Sequence, residues 1–149
     1  MALGLLICNV ANATEDTPHY NVVREYIMSL CGIYKIQQIS TKELQENSNP
    51  TEKMMTGIRS STRMKLELNR SITAFREIRL RKPFDTLLPT TIFWYEKKIN
   101  LHNELTDISK TFLAGMGGPK PEVDYSKLAA RMPEITATFE YIDESIGVR

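Results

Sequence analysis

Two histidines, His19 and His102, two cysteines, Cys8 and Cys31, and eighteen acidic side chains are the chemistry-bearing stock of this 149-residue chain. A di-iron helical site needs Glu-x-x-His on two helices, and no Glu stands three places before either histidine. A c-type haem needs Cys-x-x-Cys-His, which is absent. No metal and no cofactor are therefore expected. His102 falls near the seam of a helix, with Glu104 two places on and facing elsewhere, and reads as a histidine at a core edge or in solvent. His19, in a first helical turn, reads as surface. No Gly-x-Ser-x-Gly occurs. The loop from Gly115 to Pro121 lacks Gly-Lys-Ser/Thr, and its Lys120 sits between two prolines, so it reads as a connector and not a phosphate cradle. Asp143 and Glu144 lie beside an apolar seam, where carboxylates normally face water. No residue is assigned a catalytic role, and the chain is read as a non-enzyme.

Two other constellations remain. Phe93, Trp94 and Tyr95 are consecutive. On a helix they point about 100° apart, so they cannot all face one core line. Either the helix is buried on two sides, or one of them lines a groove or anchors a partner, since Trp and Tyr are favoured at binding hot spots. Arg59 and Arg63 share a face of the preceding helix and complete the expected partner site. The alternative is a small-molecule pocket between helices, with Ser61, Thr62, Lys65 and Asn69 as a polar layer at mid-height. The first reading makes the protein an adaptor, inhibitor or immunity-type factor. The second makes it a sensing or binding bundle.

Four helical stretches must position these residues. Thr17-Pro18 opens the first, which runs to about Glu46 or breaks near Ser40, where Ser40 and Glu43 match a capping box. Gly32 inside it allows a neighbouring helix to come close. Asn49 and Pro50 cap and start the second, which can extend to Lys82 before Pro83. Its apolar positions do not form one stripe. Met54, Met55 and Ile58 mark one face, and Met64, Leu68, Ile72, Phe75 and Ile78 mark another.

The third helix is expected over 90–114, with Trp94, Leu101, Leu105, Ile108 and Phe112 as its seam and Gly115 just past its end. Asp124 caps the fourth. Tyr125, Leu128, Met132, Ile135, Phe139, Ile142 and Ile146 recur there at alternating threes and fours. Pro133 interrupts this helix without disturbing its phase, so a kink is expected. The fold class is all-α: an antiparallel up-down four-helix bundle spanning residues 14–149 as one domain. The unbroken seam of the last helix could also serve a homodimer.

Composition narrows the partners. The net charge is +1, but the stretch from Glu52 to Lys82 holds nine Lys/Arg and three Glu. Glu67 stands four places after Arg63, and Glu77 four before Arg81, spacings that make intrahelical ion pairs. This reads as a solvated, paired face, and no nucleic-acid partner is expected. Residues 1–13 look like the later part of a signal peptide. Leu3 to Val10 is apolar and Ala11-Asn12-Ala13 is a small-residue cleavage pattern, although no Lys or Arg precedes Arg24. The apolar run is too short for an integral membrane span. A periplasmic or secreted location follows, and cleavage would leave Cys31 alone as a small apolar side chain.

Overall fold

The computed structural model describes residues 18–119 and 122–148; the signal-like residues 1–13 lie outside them. Four helices and no strand occur among the described residues: α1 (Pro18–Glu46), α2 (Pro50–Arg76), α3 (Leu87–Met116) and α4 (Tyr125–Ser145). The boundaries follow the capping chemistry. Asn49 accepts the Thr51 N–H at 2.9 Å, and Pro50 takes the first position of α2, where no N–H is missed. Asp124 accepts the Lys127 N–H at 3.1 Å at the start of α4.

Of the two courses open to α1, it takes the unbroken one to Glu46; the Ser40 side chain bonds back to the Ile36 carbonyl at 2.7 Å and across to the Ser60 hydroxyl on α2. Two other boundaries differ from the sequence reading. α2 ends at Arg76, six residues short of Lys82, so Glu77 and Arg81 are not partners on a helix. α3 starts at Leu87 with Pro89 in its first turn, where proline costs no hydrogen bond, and runs through Gly115 to Met116. Gly115 is therefore inside the helix. A Cβ there would lie 2.7 Å from the Tyr125 hydroxyl oxygen, so its missing side chain makes room for the start of α4.

α2 packs against both α1 and α3, and α4 packs on α3. The α1–α2 approach is close at Gly32, where a Cβ would overlap the Glu67 carboxylate. Apolar burial falls into two clusters. The first joins Ile33 of α1, Met64, Leu68, Ile72 and Phe75 of α2, Leu88 and Tyr95 of α3, and Ile146 after α4. The second joins Leu101 and Ile108 of α3 to Ile135 and Ile142 of α4, with Leu128, Met132 and Phe139 against them. α3 is thus covered on two sides. The regular seam of α4 is taken up by α3, and the later apolar face of α2 fills the first cluster. The earlier face does not: Met55 is exposed, while Thr56 and Ser61 are buried in that half of the helix.

Cys31 is buried and disulfide-bonded. The chain's other cysteine, Cys8, lies outside the described residues.

Candidate functional site

α3 carries a polar stripe at core spacing. Thr91, Tyr95, Lys98, His102 and Thr106 recur at steps of four, three, four and four, and all five are buried. Burial of so many polar groups must be met by hydrogen bonds. Tyr95 and the Ser29 hydroxyl of α1 are 2.6 Å apart. Burial pushes the Tyr95 phenol well above its ordinary range, so it stays neutral. The Lys98 ammonium, 2% exposed, forms a hydrogen-bonded ion pair with Asp143 of α4. The Gln37 amide of α1 donates to the other Asp143 oxygen at 3.0 Å. Desolvation lowers the Lys98 pKa, opposed by the charge and hydrogen bond of Asp143. Asp143 is therefore no solvated carboxylate, contrary to its sequence reading.

One turn further, His102 Nδ1 lies 2.9 Å from the Ser61 hydroxyl of α2, and its ring sits 4.5 Å from that of Phe139 on α4. Its Nε2 and the hydroxyl of Thr106 are buried with no hydrogen-bond partner among the described residues. Burial, then the charges of Lys98 and Lys65, hold the imidazole down to a pKa of about 3. His102 is a neutral core histidine joining α2, α3 and α4.

The proposed polar layer is only partly gathered here. Ser61 is buried against His102. Lys65 is half-buried and donates to Asn103 at 2.9 Å. Thr62 and Asn69 are exposed, and the Thr62 hydroxyl bonds back to its own helix at Ile58. Ser61 is the member that reaches the interior stripe.

The aromatic triplet divides three ways. Tyr95 is fully buried between Phe75 and Ser29, Trp94 is half-buried, and Phe93 is 50% exposed. Phe93 meets Trp94 edge-on at 5.2 Å, and Trp94 meets Tyr141 of α4 edge-on at 5.5 Å. Tyr141 is 59% exposed. The Lys97 ammonium stands 4.9 Å from the Phe93 ring centre and 6.0 Å from that of Trp94. Beside Trp94, the connector between α2 and α3 closes a hollow of about 310 Å³ lined in part by Phe84, Leu87 and Thr90. Phe84 and Leu87 are both exposed. Aromatic and apolar side chains from the connector, α3 and α4 thus flank one stretch of surface, interrupted in the hollow by Thr86, Thr90, Thr91 and Ser145. Tyr141 and Phe84 were missed in the sequence, where neither adjoins the triplet.

Arg59 and Arg63 are not part of that surface. Arg63 pairs with Glu43 of α1 at 3.3 Å, and Arg59 donates to Thr56 at 3.0 Å. Arg63 stands twelve residues before Phe75, the α2 ring against Tyr95, or about 18 Å along the helix. Nor does Glu67 pair with Arg63; it binds Arg70 at 2.9 Å, and Arg70 also faces Glu25 of α1 at 3.8 Å.

A second groove, of about 800 Å³, lies between α3 and the first half of α4. Its rim includes Arg131, which is held by both Glu104 and Glu134. Among the described residues no group of three His, Cys, Asp or Glu could hold a metal ion, and no helix is long and apolar enough to cross a membrane. Comparison with protein-family models, curated proteins and solved structures finds no match.

Proposed function

We propose that this protein is an exported, non-catalytic helical bundle that binds a protein partner through the surface formed by Phe84, Leu87, Phe93, Trp94 and Tyr141. The observation that carries the reading is the contiguity of these side chains, drawn from three separate segments and left largely open. Aromatic clusters of this kind give large contact area at low cost in side-chain entropy. Lys97 over the rings adds one cation at the edge, so the fitting partner carries an apolar anchor flanked by a carboxylate. The interior polar stripe supports a ligand site less well, because Ser61, Lys65, Lys98 and Tyr95 are already bonded within the protein.

The helices are read as an antiparallel up-down bundle. Low-numbered residues of one helix meet high-numbered residues of the next, as in Arg70 with Glu25 and Arg63 with Glu43, Arg76 with Glu96 and Ser61 with His102, or Arg131 with Glu104 and Asp143 with Lys98. Pro133 inside α4 removes one backbone donor and supports a bend there. The leader-like pattern at residues 1–13 supports export.

The partner reading is tested by affinity capture from the envelope and medium of the source cells with wild-type protein and Phe93→Ala/Tyr141→Ala. Both rings are at least half exposed, and an unchanged far-ultraviolet dichroism spectrum checks that the variant folds. A partner held by the wild type and lost by the variant supports the reading. Equal capture by both removes the aromatic surface as the site.

A further inference from the structure

The two apolar clusters meet at the polar stripe, which α4 reaches through Phe139 and Asp143. Its apolar seam packs on α3. Polar bonds also tie it to the rest of the molecule: Asp143 to Lys98 and Gln37, the Ile146 carbonyl to the Tyr26 hydroxyl at 3.5 Å, and, away from the stripe, Arg131 to Glu104 at 2.7 Å. The Phe139 ring of α4 closes over His102, whose Nε2 is buried without a partner.

We propose that this junction is an acid-sensitive latch, and that mild acid releases α4 from α3 while α1, α2 and α3 stay packed. Protonated His102 would carry a charge that its site cannot accommodate. From α2 it faces the Ser61 hydroxyl and the Lys65 ammonium, and from its own helix Lys98. From α4 it faces the apolar ring of Phe139; Asp143 of α4 is engaged by Lys98, and α1 contributes the uncharged Gln37 amide to Asp143. The charges that reach His102 are both positive, and its second N–H would meet no acceptor. Movement of α4 lets water reach the ring. The first cluster is built mainly from the other three helices and does not depend on the imidazole. Release would bare Leu128, Met132, Ile135, Phe139 and Ile142 together with Leu101 and Ile108 of α3.

The sign follows from linkage. His102 is held at about 3 when α4 is docked and returns toward about 6.5 in water, so the released state binds more protons between those values. Hydrogen exchange of the full chain at pH 7 and pH 5, expressed as protection factors, tests the latch. Protection over Tyr125–Ser145 is expected to fall on the order of tenfold, with Met64–Phe75 unchanged. In His102→Gln, which keeps a polar side chain but cannot be protonated, the fall is expected to vanish. Equal loss in α2 and α4, or an undiminished fall in the variant, overturns the proposal. If the variant does not fold, NMR titration of His102 in the wild type decides. A ring that stays neutral at pH 5 in molecules with α4 docked supports the latch; one that protonates with α4 still protected overturns it.

Discussion

Lys98 of α3 and Asp143 of α4 form an ion pair in which the ammonium is almost wholly removed from water while the carboxylate keeps 16% side-chain exposure. The asymmetry decides which partner matters more. Removing Asp143 strands a cation that the site cannot solvate, whereas removing Lys98 leaves a carboxylate that keeps Gln37 and some water. Asp143→Ala is expected to cost about 3–5 kcal/mol and Lys98→Met less. The double change Lys98→Met/Asp143→Leu is expected to recover most of that loss, because apolar replacement of a buried pair is commonly near neutral. Urea unfolding of the three variants checks the order.

Global stability should carry the same signature of His102. Its folded value lies below its unfolded one, so its contribution is complete above about 6.5 and is lost as the pH falls toward about 3. Inside that window each pH unit removes about 1.4 kcal/mol. Unfolding curves at pH 7, 6 and 5 are expected to show this slope in the wild type and a shallower one in His102→Gln.

Gly32 offers a test of helix approach. Alanine there gains up to ~1 kcal/mol of helix propensity, but its Cβ displaces the Glu67 side chain, which is also bound to Arg70. Gly32→Ala alone is expected to be close to neutral. In a Glu67→Ala background the same substitution is expected to stabilise by about 1 kcal/mol. The difference between backgrounds in a thermal-melt cycle measures the contact.

Asp124 is the simplest case. Its carboxylate accepts the Lys127 N–H and sits at the positive end of α4. Asp124→Ala is expected to cost about 1 kcal/mol, and Asp124→Asn much less. Chemical denaturation of the two variants separates the hydrogen bond from the charge.

The residues explain why some features were legible in the sequence and others were not. The caps at Asn49 and Asp124 and the seam of α4 are local patterns, and a local pattern needs no knowledge of neighbours. The end of α2 was missed because nothing between Glu77 and Lys82 forbids a helix; the chain leaves it to bring Ile78 and Leu80 against the first cluster. The polar stripe was visible in its spacing, yet polar residues at core spacing read as a solvated face until their partners are known. Those partners, Ser29, Gln37, Ser61 and Asp143, lie between 41 and 66 positions away or, for Gln37 and Asp143, 106 positions apart. The aromatic surface was half legible for the same reason. Phe93-Trp94 stands out in sequence, and Tyr141 joins it only through packing.

Trp94 packs against both apolar clusters and is the single tryptophan of the chain. The molecule therefore contains its own optical reporter at the joint between its two halves. Loss of α4 would remove the Tyr141 ring from one side of the indole while leaving the helical backbone largely in place. Tryptophan emission and far-ultraviolet dichroism would then part company along a titration, and the interval between the two curves would be the range in which the molecule exists with its last helix undocked.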